Sequence, residues 1–214
     1  MFRKIYLVGI LIFVTVFVSG QGVKFGIFFD PTVTWLRSDV KDVIPDRTHL
    51  GFDLGMTADF YFSKNYAFVT GISLFSTGGA LQYSNEINLH TKDEIIKISG
   101  NVTYKVQYVK IPVAMKFKTH MIGRFVYSAN LGFDPMFRVS ARADFIGEEN
   151  AQVNDEIKWL NMGWHFGGGA QYSLGGELSV FGGFSFMNTF LDMTQPAHDM
   201  ITSNHLIFRI GVMF

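Results

Sequence analysis

Apolar and polar residues alternate with a period of two along most of this chain. Residues 49–62 are the clearest case, because every second position is apolar: Leu50, Phe52, Leu54, Met56, Ala58, Phe60 and Phe62. A helix would distribute these side chains around its circumference, whereas a strand places them on one face. The pattern therefore predicts a strand with one apolar and one polar face.

Seven further segments show the same alternation, namely residues 23–35, 66–82, 104–118, 124–138, 159–174, 177–190 and 205–214. Short connections join the second strand to the third, the fourth to the fifth and the sixth to the seventh, and the other connections are long and polar. Short turns at one end and long loops at the other are typical of outer-membrane barrels. We predict an all-β fold, an eight-stranded antiparallel transmembrane β-barrel with both termini on the periplasmic side.

The first residues have the pattern of an export signal. Arg3 and Lys4 precede the apolar residues 5–18, and the small residues Ser19 and Gly20 follow. This order predicts a secretory signal peptide over residues 1–20, cleaved before Gln21, with an uncleaved anchor helix as the alternative. A membrane span needs about 20 apolar residues, which favours the signal peptide. The barrel domain is then expected over residues 21–214, in the outer membrane.

Composition narrows the chemistry that this chain can perform. There is no Cys, which excludes disulfides, Cys-ligated metals and thiol nucleophiles. Lys and Arg together number 18, as do Asp and Glu, so there is no basic excess of the kind that nucleic-acid binding requires. Charged residues make up 17% of the chain, below the roughly 25% of an average soluble domain.

The polar faces of the predicted strands carry small residues and few charges. A soluble barrel that binds an apolar ligand is the alternative fold, but it would need plentiful charge on its outer face. In a membrane barrel the polar face lines the lumen, which eight strands leave just wide enough for side chains to fill. We therefore expect no open pore, and a structural polar network in the lumen made by Asp53, Asp59, Lys110, Lys116, Asp134, Arg138 and Arg209.

Two further positions bear on how the barrel is built. Phe214 lies on the apolar face of the last strand, and we expect this C-terminal aromatic residue to close the barrel against the first strand. Pro112 lies within the fourth predicted strand. Since proline cannot donate to a strand ladder, its presence predicts a local bulge.

No residue pattern predicts a catalytic, cofactor-binding or metal site. None of the six histidines lies in a catalytic or metal-binding motif: His49, His90, His120, His165, His198 and His205. His165 is expected to be a hydrogen-bonded residue of the lumen. Residues 167–169 are all glycine, but they lie within a strand rather than before a helix, which disfavours a phosphate loop. A lipid-modifying barrel enzyme remains the alternative to a non-enzymatic protein.

Several motifs resemble a known family. They are residues 22–26 (GVKFG), the run YVKIPV at residues 108–113, the Gly-rich residues 163–172 and the terminal Phe214. Together they resemble the Bacteroidota outer-membrane β-barrel family that includes PorT-like proteins. The resemblance implies an eight-stranded outer-membrane barrel. Since no catalytic pattern is present, we predict a non-enzymatic protein of the cell envelope, with a structural or interaction role, for example as an accessory of a secretion or envelope assembly. Its expected partners are outer-membrane lipid, lipopolysaccharide and the barrel-assembly machinery, with no cofactor and no nucleic acid.

Overall fold

The computed structural model describes residues 22–92, 94–194 and 200–214, so the predicted signal peptide and His198 lie outside the described residues. Within these ranges the chain forms eleven strands: β1 (Val23–Ser38), β2 (Val43–Arg47), β3 (His49–Ser63), β4 (Tyr66–His90), β5 (Ile95–Lys110), β6 (Val113–Lys118), β7 (Phe125–Phe145), β8 (Glu148–Gln152), β9 (Leu160–Gly175), β10 (Leu178–Thr189) and β11 (Ile201–Met213). The same ranges contain no helix of the length and hydrophobicity needed to cross a membrane.

The strands close into an antiparallel barrel whose wall runs β1–β3–β4–β5/β6–β7–β9–β10–β11 and returns to β1. Strands β5 and β6 lie end to end and together form one wall strand, which gives eight wall strands among the described residues. The short strands β2 and β8 belong to the long loops and pair with β4 and β7. The predicted fold is therefore confirmed.

Barrel closure is made by the first and last wall strands. The N–H of Phe25 donates to the carbonyl of Phe214 at 2.9 Å, and the N–H of Phe214 donates to the carbonyl of Phe25 at 2.8 Å. From there the pairing of β1 with β11 continues towards the long loops, as far as Ser38 opposite Ile201. Phe214 thus lies at the short-turn end of the ladder that joins β1 to β11, with its side chain exposed on the outer face.

The bulge predicted at Pro112 is absent, and that prediction is wrong. Lys110 pairs with Ser73 and Val113 pairs with Thr70, so the register against β4 is the same before and after the proline. The N–H of Ile111 still donates to the carbonyl of Pro135 at 3.0 Å, which keeps β5 and β6 in line. The proline removes one donor from the ladder without inserting a residue.

A bulge does occur on the neighbouring strand, β7. Gln107 pairs with Ser140 and Tyr108 pairs with Arg138, so Val139 is an extra residue with no partner on β5. An extra residue reverses which side chains face outward beyond it. Above Val139, the inward positions of β7 are therefore Ala141 and Ala143.

The apolar set of each wall strand faces outward. Large exposed side chains surround the barrel, among them Phe29, Leu54, Met56, Leu131, Phe166, Phe184 and Ile210. A soluble carrier of an apolar ligand would need this set to face inward, so its requirement is not met. Trp35 and Trp159, on the long-loop side, are also exposed, as expected for an interfacial girdle.

The interior of the barrel changes character along its axis. Towards the short turns it is polar, whereas towards the long loops it is a packed apolar core that includes Leu36, Phe75, Leu81, Tyr104, Met136, Ile157, Met187, Met193 and Ile201. This core was not predicted. The extensions of β4, β5 and β7 beyond the predicted limits at residues 82, 104 and 138 add Tyr83, Leu89, Val102, Ala141 and Ala143 to it, and the long loops add Ile157 and Met193.

Candidate functional site

The charged lumen is built from inward positions of the wall strands. Lys110 on β5 donates from Nζ to Oδ2 of Asp53 on β3, two strands away. Both side chains are almost completely removed from solvent, at 7% and 2% exposure. Lys116 donates to Oδ2 of Asp59 at 2.6 Å, and Tyr61 OH donates to the same oxygen at 3.3 Å.

The two lysine–aspartate pairs share one geometric origin. In each pair the partners are 57 residues apart, because β3 and β5/β6 run parallel on either side of β4. The offset stays constant across Pro112 only because no residue is inserted there. With a bulge at that point, Lys116 would face outward and Asp59 would lose its partner.

Two further acids in the lumen are paired. Arg209 Nε donates to Asp30 Oδ2 at 3.1 Å, and the N–H of Ile210 donates to Oδ1 of the same residue at 3.0 Å. His165 Nδ1 lies 2.7 Å from Oδ2 of Asp134. Asp30 and the partnership of His165 were missing from the predicted network.

A repeated tripeptide could have revealed the role of Asp30. The sequence Phe-Asp-Pro occurs at residues 29–31 in β1 and again at residues 133–135 in β7, four wall strands later. In both copies the aspartate is buried and faces the lumen. The two copies therefore place equivalent carboxylates on opposite sides of the barrel.

Arg138 differs from the other six predicted lumen residues. Its Nη1 donates to the carbonyl of Ile157 at 2.7 Å rather than to a carboxylate. Arg138 lies at the level where the polar lumen gives way to the apolar core, and Ile157 belongs to the loop between β8 and β9. Its guanidinium thus attaches that loop to the barrel wall.

Little free volume remains in the lumen. One cavity of about 50 Å³ lies near Asp59, Lys116 and Asn130, and another of about 40 Å³ lies near Asp53, Lys110 and Asp134. Each is of the order of one or two water molecules, taking about 30 Å³ per molecule.

The long loops form a folded cap over the apolar core. His90, at the end of β4, contacts Glu156 Oε2 through both its N–H at 3.3 Å and its Nδ1 at 3.2 Å. Lys158 Nζ donates to Asp192 Oδ2 at 2.7 Å, which joins the third long loop to the fourth. Burial raises the pKa of the Glu156 carboxyl, and the hydrogen bonds from His90 offset part of that increase.

A serine and a histidine also meet inside the barrel. Ser203 Oγ lies 2.8 Å from Nε2 of His205, and Thr34 Oγ1 lies 3.0 Å from Nδ1 of the same ring. All three residues are buried, and Phe75 packs against the imidazole. The second ring nitrogen contacts a hydroxyl, where a catalytic triad would place a carboxylate. Among the described residues, no group of three or more His, Asp or Glu side chains could hold a metal ion.

Solved structures with the same fold are outer-membrane barrels. Neisserial surface protein A shares 11% identity with a TM-score of 0.51, and the match covers 90% of this chain and 98% of that one. OprG from Pseudomonas aeruginosa shares 11% identity over 91% of this chain and 95% of its own, with a TM-score of 0.45. Ail from Yersinia pestis shares 11% identity over 91% and 100%, with a TM-score of 0.44.

No curated protein matches the chain. A family model does match it over residues 19–195, which is most of its length, and the description of that model is outer membrane protein beta-barrel domain. At 11% identity the structural likeness shows the fold alone. On the strength of the family model, the chain belongs to the outer membrane protein β-barrel domain family.

Proposed function

We propose that this protein is a non-enzymatic, non-conducting barrel of the outer membrane that presents its folded cap to a partner in the cell envelope. The observation that carries the proposal is the filled interior: paired charges occupy the polar half, and an apolar core occupies the half beneath the long loops. As the finer role we propose that of an accessory of a secretion or envelope assembly. The predicted signal peptide would deliver the chain for export, and the barrel-assembly machinery would insert it.

The absence of conduction follows from packing. An eight-stranded wall encloses only enough space for its own side chains, and aqueous channels appear at about 16 strands. The apolar core also lies across the path between the lumen and the long-loop side. Opening a passage would require exposing that core to water, which costs about 25 cal/mol for each Å² of apolar surface.

The non-enzymatic role is supported by the surroundings of Ser203 and His205. A substrate would need to reach Ser203 Oγ, but this residue and His205 are buried, the imidazole completely. The polar partners of His205 are the hydroxyls of Ser203 and Thr34. We assign these residues a structural role, in which hydrogen bonds satisfy a buried imidazole.

Planar-bilayer recording tests the absence of conduction. The wild-type barrel should leave the conductance of an empty bilayer unchanged over hours of applied voltage. A 16-stranded porin recorded in the same bilayer is the positive control, because a wall of about that size encloses an aqueous channel. Steady unitary currents from the wild-type protein would contradict the proposal.

Site-specific crosslinking in cells tests the interaction role. The chain has no Cys, so a single introduced Cys reports on one position only. Ile146, at the tip of the β7–β8 hairpin, is 85% exposed and apolar, which suits a partner contact. Ile146→Cys should give a discrete protein adduct with a short bifunctional crosslinker, whereas Leu54→Cys on the outer wall of the barrel should not. If Cys residues introduced across the cap give no adduct, the interaction role is wrong.

A further inference from the structure

A polar cleft lies on the outside of the barrel wall near the long loops. We call it the outer-wall cleft, and its volume is about 300 Å³, several times that of either lumen cavity. Adjacent wall strands contribute its lining, with one or two side chains from each of β3, β4, β5 and β7: His49, Ser76, Lys105, Gln107, Ser140 and Arg142. Asn150, from the short strand β8, completes the lining.

The cleft side chains on β5 and β7 point away from the barrel interior. On β5, Lys105 and Gln107 alternate with the buried inward residues Tyr104, Val106 and Tyr108. On β7 the outward direction of the lining depends on the bulge at Val139. Without that extra residue, Ser140 and Arg142 would continue the inward series that ends at Arg138. The bulge thus turns a serine and an arginine onto the outer surface, as bulges near binding sites do.

The cleft lies directly above the apolar belt of the barrel. Towards the short turns, the next outward-facing residue after Ser76 on β4 is Leu74. On β5 the next outward-facing residue after Gln107 is Val109, which pairs with Leu74. On β7, Phe137 lies below the bulge and contacts the ring of Trp159 at a centroid distance of 6.1 Å. Aromatic residues of this kind mark the boundary between hydrocarbon and lipid headgroups. In a barrel of the outer membrane, the cleft therefore faces the headgroups of the outer leaflet.

The chemistry of the cleft suits an anionic group. Lys105 is fixed by Asp144 at 2.5 Å and by the Asn150 side chain at 3.5 Å. Asn150 also lines the cleft and has a φ of 59°, the only positive φ of a non-glycine residue in the part of the chain that the structure describes.

Arg142 is the charged side chain of the cleft whose guanidinium is available for a ligand. It is exposed, and no acidic side chain among the described residues lies within ion-pair distance of its guanidinium. A guanidinium offers a planar set of N–H donors that matches two oxygens of a phosphate. The hydroxyls of Ser76 and Ser140 and the amide of Gln107 can donate further hydrogen bonds to the same group or to an attached sugar.

We propose that the outer-wall cleft binds the phosphorylated sugar headgroup of an outer-leaflet lipid, the class represented by lipid A. Arg142 and Lys105 bind the phosphate, Gln107 and the two serines bind the sugar, and the acyl chains lie along the apolar belt below. The proposal is independent of the closed lumen, because the cleft and the lumen lie on opposite sides of the wall. A conducting barrel would contradict the proposed function and leave this site unaffected.

Native mass spectrometry of the detergent-purified barrel tests this site. The probes are lipid A with its phosphates and the same lipid after enzymatic dephosphorylation. The wild-type barrel should retain the phosphorylated form, and Arg142→Gln should weaken retention by at least about tenfold, the effect of losing a charge-assisted contact. Lys105→Gln/Arg142→Gln should abolish it. Inorganic phosphate in excess should not displace the lipid, because the acyl chains contribute to binding.

A matched control is Arg47→Gln, because Arg47 is an exposed arginine of the long loops with an ion pair to Asp46 and does not line the cleft. It should retain lipid A as the wild type does. Heat-modifiable gel mobility verifies that each variant is folded. Equal retention of the dephosphorylated lipid by the wild type, or unchanged retention by folded Arg142→Gln, would overturn the proposal.

Discussion

Replacing Lys110 by methionine should destabilise the barrel by about 3–5 kcal/mol, the usual effect of leaving one member of a buried ion pair without its partner. The substitution keeps most of the side-chain volume and removes only the charge. Asp53, with 2% of its side chain exposed, then loses its charged partner, and its Oδ1 already has no hydrogen-bond partner. Cation–π contact between Lys110 and Phe75, at 4.8 Å, is lost as well.

The expected loss of stability is large because the Lys110–Asp53 pair is buried. Breaking an exposed ion pair should cost much less. The Arg47–Asp46 pair, with side chains 80% and 32% exposed, is the comparison, and Arg47→Met should cost no more than about 1 kcal/mol. The double variant Lys110→Met/Asp53→Leu removes both buried charges. It should recover most of the stability that the single variant loses, because no unpaired charge remains.

Reversible urea unfolding from lipid vesicles measures these differences, with tryptophan fluorescence as the signal and gel mobility of unheated samples as a check on folding. The reasoning is refuted if the Lys110→Met barrel is as stable as the wild type to within about 0.5 kcal/mol. That is the usual range for a surface substitution. A double variant no more stable than the single variant would also refute it. Asp59→Ala and Arg209→Ala probe the remaining network, and unchanged heat stability in both would remove its structural role.

Three further outcomes are expected. Gly183→Ala should lose about 1–3 kcal/mol in the same unfolding assay, because its Cβ would lie 2.3 Å from the carbonyl oxygen of Gly168, whereas Gly182→Ala meets nothing closer than 3.6 Å and should be neutral. Because burial raises the pKa of Glu156, the cap should be most stable below the usual value of 4.5 and lose stability as the pH rises through the raised pKa. Hydrogen exchange of the cap at pH 5 and pH 8 measures this loss, and Glu156→Gln should remove the difference. Deleting Phe214 removes two ladder hydrogen bonds and should cost about 1–3 kcal/mol, and a fully stable truncated barrel would contradict its closing role.

The wall of the barrel could be predicted from the sequence because its signal is local. A period of two assigns each residue to a face without knowledge of any partner, and the outward positions of Leu54 and Phe184 follow directly. The partners inside the lumen could not be predicted in this way. Asp53 meets Lys110 across an intervening strand, and that meeting depends on the register of β4 against both neighbours.

The cap and the bulge depend on contacts that no short window of sequence contains. Residues 83–103 lack clear alternation, yet β4 and β5 extend through most of them because the hairpin packs on the third long loop, where His90 meets Glu156. The bulge predicted at Pro112 is wrong for a related reason. A proline removes a donor, but whether a residue is inserted depends on the neighbouring strands, and here the insertion is Val139 on β7.

The ladder between β1 and β11 differs from the other wall pairings in the length of chain that it must close. Every other wall pairing joins strands that are neighbours along the chain, so each can form as a local hairpin or meander. The β1–β11 seam instead joins residues as far apart along the chain as Gly26 and Met213, so it has the largest loop-closure cost of the wall pairings. Until it forms, the wall is an open sheet with two unpaired edges, each a template for another strand. We therefore expect seam closure to be the last pairing step, the one that ends the stage with exposed strand edges.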